Sequence, residues 1–387
     1  MKNIFITGGA GYVGSSLVPL LINKGYDVTV FDLMIYGEKV LPKHEKLKIV
    51  KGDIRNQELL KKVIPGHDCL IHLACISNDP SFELNPSLGK QINLDSFVPL
   101  VEISKSFGIE RFIYASTSSV YGIKNEKKVN EEMILEPLTD YSRFKAECEK
   151  ILLEYQDSNF TTVTIRPATV CGYSLRQRMD VVVNLLTNQA YHKKEISVLG
   201  GDQLRPNIHI SDMADVYIKL LNTPKDKLAG KIFNAGYQNL SVKNIAETVQ
   251  KVIGPNVKLK LVKSDDKRSY HISSEKIIET GNLKLNGFTH NFPARAMKGV
   301  HWNGTEFNWK LKPFHYGAIH FHDDDIYDAN WKKTFDWKVP LNIKSGLYCA
   351  HIFDSNKNED HIPFVIQPSK KRKPIKIVFL LLTLLFM

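Results

Sequence analysis

Tyr141-Ser142-Arg143-Phe144-Lys145 sets a phenol and an ammonium four residues apart, on one face of any helix that carries them. An ammonium beside a phenol favours the phenolate. It lowers a pKa that starts near ~10 and yields a general base usable near neutral pH. The same spacing is common on solvated helix surfaces, so the pair means little alone. Upstream, Tyr114-Ala115-Ser116-Thr117-Ser118-Ser119-Val120-Tyr121-Gly122 gathers several hydroxyls at what reads as a strand end. Together the two segments are far more specific than either by itself.

A third segment, Thr7-Gly8-Gly9-Ala10-Gly11-Tyr12-Val13-Gly14, follows a first strand-like run and opens a helix. Gly8 permits a tight turn, Gly11 lets backbone approach a pyrophosphate, and Gly14 allows close helix packing on a sheet. The helix start then offers free N–H groups and partial positive charge to phosphates. Asp32 ends the second strand-like run, near the offset expected of a ribose-binding acid. A carboxylate there accepts from both ribose hydroxyls and repels a 2′-phosphate, which favours NAD over NADP. Asp53, in Gly52-Asp53-Ile54, stands where it can reach an adenine amino group, or simply forms a turn.

These residues need a scaffold. Apolar runs at Ile4–Thr7, Val28–Asp32, Lys48–Val50, Cys69–Ala74, Arg111–Ser116 and Thr162–Arg166 read as strands. Tyr12–Lys24 and Ser96–Phe107 read as helices, each followed by a glycine, Gly25 or Gly108. The alternation indicates an α/β fold with a Rossmann-like, doubly wound parallel sheet over residues 1–180. A small substrate-binding α/β part follows over 181–280. From 281 to 387 aromatics, histidines and turn residues crowd together, and the segment reads as β-rich.

The chain has 387 residues with 43% apolar content, enough for a full core in two to three domains. Its net charge of +11 suits nucleic acid, anionic lipid or an anionic small substrate, and does not choose among them. Five cysteines without CxxC spacing argue against a disulfide framework or zinc site and for a reducing compartment. No signal peptide is visible at the N-terminus. The apolar run from Ile375 to Met387 is shorter than the ~20 residues of a membrane helix and reads first as a buried strand, second as a tail anchor or interfacial segment.

With these motifs, His72-Leu73-Ala74, Asn93, Arg166-Pro167-Ala168-Thr169-Val170, Arg205 to Asp212 and Arg268, residues 1 to about 278 resemble an extended short-chain dehydrogenase/reductase of the NAD-dependent sugar epimerase/dehydratase family. The resemblance implies NAD, held by Gly8, Gly11, Tyr12, Val13, Gly14, Asp32, Asp53, Ile54, Leu73, Ala74, Asn93, Tyr141 and Lys145. It implies Thr117, Tyr141 and Lys145 as the catalytic set, with Thr117 on the sugar oxygen being oxidised. Asn184, Arg205 and Arg268 correspond to residues that hold the nucleotide diphosphate. His209 is expected to pack beneath that loop, and Cys75 to be a small buried filler near the cofactor. Dehydratases of the family carry acidic residues after the catalytic threonine, where this chain has Ser118 and Ser119. The expectation is therefore a nucleotide-sugar epimerase acting at C4 through a transient keto sugar. A 4-ketoreductase or 4,6-dehydratase is the alternative. The further expectations are a cytoplasmic homodimer, a nucleotide-sugar substrate, and no metal, nucleic acid or membrane.

From about Leu285 the chain resembles another family, the large subunit of N,N-dimethylformamidase-like amidohydrolases. Asn291-Phe292-Pro293-Ala294-Arg295-Ala296-Met297, His315 to Asp325 and Ser345-Gly346-Leu347-Tyr348 carry that resemblance. His320, His322 and Asp323 to Asp325 have metal-ligand chemistry, but a polar strand and turn of a β-sandwich is the plainer reading. The segment is expected to be a non-catalytic β fragment. It also supplies a rival function, an amidohydrolase subunit or assembly module. A non-catalytic dinucleotide sensor is a third reading, opposed by intact Thr117, Tyr141 and Lys145.

Overall fold

A computed structural model describes residues 1–281, apart from 78, 125, 127, 264–268 and 270, and the backbone of 297–298, 316–318, 346–353 and 359–366. Two compact units divide the chain, Met1–His290 and Asn291–Met387.

The first unit opens with β1 (Asn3–Thr7), α1 (Gly14–Asn23), β2 (Asp27–Asp32), β3 (Leu47–Lys51), α2 (Gln57–Val63) and β4 (Cys69–His72). It continues through α3 (Asp79–Glu83), α4 (Pro86–Lys90), a π-turn (Gln91–Asp95), α5 (Phe97–Ser106) and β5 (Arg111–Ala115). A 3-10 turn (Ser118–Tyr121), α6 (Asp140–Glu154) and β6 (Thr161–Pro167) complete the first part. The six strand-like runs are strands, with ends within two residues of those expected. β4 stops early because the backbone of Leu73–Ala74 turns against Gly8. α1 starts late because Tyr12 and Val13 stay in the glycine turn.

The strands form one parallel sheet in the order β10-β6-β5-β4-β1-β2-β3. Alternate residues feed opposite cores, which explains strands apolar on both faces. Ile4 and Ile6 of β1 pack with Leu17 and Val18 of α1 on one side. Phe5 packs with Leu60 of α2 and Leu100 of α5 on the other. Chain order reverses between β1 and β4, so a crevice opens beyond their carboxyl ends, where ligands of such sheets bind.

Next come β7 (Thr169–Cys171), α7 (Val182–Lys193), β8 (Glu195–Leu199), β9 (Leu204–His209) and α8 (Ile210–Asn222). β10 (Lys231–Ala235), β11 (Gln238–Ser241), α9 (Val242–Ile253), β12 (Lys258–Val262) and α10 (Glu275–Gly281) end the unit. β10 pairs with β6 from Lys231–Val163 to Ala235–Pro167. The large sheet therefore takes its last strand from beyond residue 180. β11-β9-β7 and β12-β8 form two small sheets, and Ile196, Val198, Ile245 and Val249 build a separate core beside them.

In the second unit β13 (Met297–Lys298) pairs antiparallel with β14 (Tyr316–Ala318), and β15 (Gly346–Phe353) with β16 (Glu359–Ile366). His320, His322, Asp323 to Asp325 and the run 375–387 lie outside the described residues. Among the described residues no helix is long and apolar enough to cross a membrane, and no cluster of three or more metal-ligand side chains occurs. Cys69, Cys148 and Cys171 are buried free thiols, whereas Cys75, expected to be buried, is half-exposed.

Candidate active site

Gly8, at φ +74°, turns the chain out of β1, and a Cβ there would lie 2.5 Å from the Ala74 nitrogen. Gly8 thus serves the tight turn and a close approach to Leu73–Ala74 at once. Close packing on the neighbouring strand falls to Gly9, whose Cβ would strike Val30 of β2 at 2.7 Å. Gly14 instead packs on the Gly9 backbone, at 2.4 Å for a Cβ, so the loop folds onto itself rather than helix onto sheet. At Gly11 a Cβ would meet only the Gly8 carbonyl oxygen, at 3.1 Å, so its outer side is open. The amides of Tyr12 and Val13 make no hydrogen bond among the described residues. An open glycine and free donors at a helix start fit a pyrophosphate.

Asp32 takes part in the loop. Its Oδ2 accepts from Ala10 N at 3.0 Å and its Oδ1 from Met34 N at 2.8 Å. The strand-end acid thereby holds the glycine turn, and each of its oxygens can accept a further hydrogen bond. Asp53 is gripped by its own neighbour: Arg55 donates from N, Nε and Nη2 at 2.9, 3.0 and 2.6 Å, and holds the carboxyl below its ordinary range. Ile54 is buried behind it.

Asn93 sits in the π-turn, a form often found at functional positions. Its amide accepts from Ile76 N at 2.9 Å and donates to Ile76 O at 3.0 Å, clamping the loop after β4. Below that loop His72 is buried against Tyr114, with Nδ1 2.7 Å from Thr7 Oγ1. Burial pushes its pKa down to about 3, so the ring is neutral.

A capping box between Thr139 and Ser142 fixes the start of α6 and sets Tyr141 in its first turn. One turn on, buried Lys145 donates to Ala115 O at 2.6 Å, and its Nζ stands 4.8 Å from the Tyr114 ring centre. Thr117 begins the 3-10 turn two residues after Ala115. Its Oγ1 accepts from Ser119 N at 3.2 Å and lies 3.0 Å from Ser119 Oγ. Ser118 points into the core and is 2% exposed.

Asn184 lies in α7, on a different helix from Tyr141 and Lys145. Its Oδ1 accepts from Gly172 N at 2.9 Å, and its Nδ2 donates to Tyr12 Oη at 3.0 Å and Arg178 O at 2.8 Å. Tyr12 in turn donates to Gly172 O at 2.7 Å, and burial raises its phenol to about 12. Both residues therefore tie the glycine loop to the segment after β7. Arg205 lies on β9, half-buried, with Nη1 donating to Leu204 O at 3.0 Å. Arg268 lies outside the described residues. The His209 ring lies against Gly172 and caps α8.

Two arginines went unread in the sequence. Arg178 grips Asp180 with Nε and Nη2 at 2.8 to 3.1 Å and donates to Ser77 O at 3.1 Å, facing Tyr141 electrostatically. Arg176 stacks on Tyr36 at 3.8 Å, beside the loop that follows Asp32. The signal available was the Arg176-Gln177-Arg178 triplet after a Gly-Tyr-Ser turn. A cavity of 750 Å³ at the opposite end of the strands, between Gly108–Arg111 and Asp157–Thr161, contains none of the candidate residues.

Comparison with known proteins agrees with this architecture. The model of the NAD dependent epimerase/dehydratase family matches residues 4–236. A second model, N,N-dimethylformamidase beta subunit-like, C-terminal, matches residues 294–385. A UDP-glucose 4-epimerase of Streptococcus mutans is 26% identical over 303 residues, 71% of this chain and 90% of its own length. A dTDP-glucose 4,6-dehydratase of Streptomyces niveus is 27% identical over 271 residues, 65% of this chain and 77% of its own length. In fold, the UDP-glucose 4-epimerase of Thermotoga maritima, solved with UDP-glucose, aligns with TM-score 0.67 at 22% identity, over 73% of this chain and 94% of that one.

Proposed function

The chain belongs to the NAD dependent epimerase/dehydratase family, and from that premise we propose that it is a nucleotide-sugar 4-epimerase. The observation that carries the reading is the meeting of α6 with the turn that follows β5, at the carboxyl end of that strand. There Lys145, one turn after Tyr141, bonds Ala115, and Thr117 follows two residues later. NAD bound here would supply the hydride acceptor and donor of the reaction. The turn from Gly8 to Gly14 and Asp32 would hold it, together with Leu73, Ala74 and the Asn93-clamped loop.

Tyr141 accepts the proton of the sugar hydroxyl and later returns it. Lys145 favours the phenolate through its charge. Thr117 orients the oxygen. Arg205, half-buried on β9, is assigned to the diphosphate, where a guanidinium fork pairs with phosphate oxygens. Elimination of water needs an acid and a base near this turn. Ser118 is turned inward, Ser119 bonds Thr117, and the buried Glu149 is committed to Arg166. These facts favour epimerisation over dehydration.

The test is mass spectrometry of cofactor released from the purified protein, followed by a nucleotide-sugar screen without added NAD. A product of unchanged mass is expected. A product lighter by one water sinks the epimerase reading and makes the chain a dehydratase.

A further inference from the structure

Tyr141, Lys145 and Glu149 occupy successive turns of one face of α6. Lys145 bonds Ala115 O at 2.6 Å, and the next strand-end residue, Ser116, donates its hydroxyl to Glu149 Oε1. The last residue of β5 and the residue after it are thus fastened to two consecutive turns of the helix. Thr117 comes next.

The carboxylate of Glu149 is itself held. Arg166 of β6 donates from Nε at 3.1 Å to each oxygen and from Nη2 at 2.6 Å, and the two side chains are 3% and 2% exposed. The same guanidinium donates from Nη1 to Tyr121 Oη at 2.8 Å, and Tyr121 donates to Asn234 Oδ1 at 2.7 Å. Ser116 and Tyr121 bracket the turn that starts with Thr117, so one buried ion pair pins that turn at both ends. A buried ion pair is weak evidence of stabilisation, because apolar replacements often do as well. Its merit here is directional: hydrogen bonds at two fixed points define where the intervening turn sits.

We propose that Glu149 is a positioning residue, which through Ser116 and Arg166 sets the Thr117 hydroxyl against Tyr141. The proposal rests on the assignment of Thr117 and Tyr141 to the reaction described above. A misplacement near 1 Å at a reacting group costs up to about 10²-fold in rate.

The test removes single hydroxyls from the full-length protein and leaves the ion pair in place. Ser116→Ala and Tyr121→Phe are compared with Ser104→Ala, which deletes a buried hydroxyl bonded to Leu100 O in α5. Ser116→Ala is expected to lower kcat by about 10- to 100-fold with KM little changed and NAD retained. Tyr121→Phe should do the same in lesser degree, and Ser104→Ala should leave kcat alone. Unchanged kcat in a folded Ser116→Ala or Tyr121→Phe protein overturns the proposal. If the unaltered protein turns over no nucleotide sugar, the functional reading fails separately. Crystal structures of the parent and these variants then decide, by the separation of Thr117 Oγ1 from Tyr141 Oη. A separation that does not move between them overturns the positioning role.

Discussion

The Lys145 ammonium is bonded to the Ala115 carbonyl, two residues before Thr117. One side chain thereby joins the helix of Tyr141 to the strand end that bears the hydroxyls. Lys145→Met should break that join and remove the cation. The rising, acid-side limb of the pH–rate profile, which reports the phenol, should move to higher pH and NAD should bind more weakly. An unshifted profile in a folded, NAD-loaded variant excludes a role for Lys145 in tuning the phenol.

Tyr141→Phe keeps the ring and deletes the proton acceptor. A loss of about 10²–10⁴-fold in kcat is expected, with NAD binding retained by calorimetry. A loss below tenfold places the base elsewhere.

Asp32→Ala removes the acceptor of the Ala10 and Met34 amides as well as the ribose partner. Hydrogen bonds to a charged group contribute about 1.5–3 kcal/mol, so the protein without cofactor should lose stability on that scale. NAD should weaken and discrimination against NADP relax. Equal NAD and NADP affinities in the parent protein remove the assignment.

His72 gives a pH dependence. Its folded pKa is pushed down to about 3 by burial, whereas an unfolded chain takes up the proton near ~6.5. As pH falls, the unfolded state binds the proton first. Its contribution is whole above about pH 6.5 and is lost between there and about pH 3, reaching roughly 2 kcal/mol by pH 5. Urea midpoints of His72→Gln should vary less over this range than those of the parent protein, and parallel curves contradict the assignment.

The division at the tail can be tested by length. Ile277 is 1% exposed in the first unit's core, and Lys276 and Glu275 pair with Glu132 and Lys128. A chain ending after Gly281 should fold, bind NAD and keep its rate per folded molecule, whereas one ending before Ile272 should unfold at lower temperature. A shortened protein that folds and binds NAD but turns over nothing, beside an active full chain, gives the tail a part in the site.

What the sequence made legible was local. Gly8 to Gly14, Asp32, and Tyr141 with Lys145 are read from short spacings that fix backbone turns or helix faces. Contacts made by the tertiary fold left no such pattern. Glu149 finds Arg166 only because α6 packs beside β6, and Arg178 reaches Ser77 only across the crevice. Asn184 read as a diphosphate contact, yet its amide is spent on Gly172, Tyr12 and Arg178. The motif assigns Gly14 to close helix packing on the sheet; in the fold Gly14 packs on the Gly9 backbone, and it is the loop glycine Gly9 that meets Val30 of β2.

The pairing of Lys231–Ala235 with Val163–Pro167 also has a consequence for synthesis. When β6 leaves the ribosome its outer edge has no partner, and its partner strand lies more than 60 residues further along the chain. At about 5–20 residues per second the edge stays open for roughly 3–14 seconds. An unpaired edge of a nearly finished parallel sheet invites pairing with another chain. The nascent protein is therefore most prone to aggregate after its cofactor half has emerged and before β10 arrives, and slowed translation over residues 168–230 should lower the soluble yield.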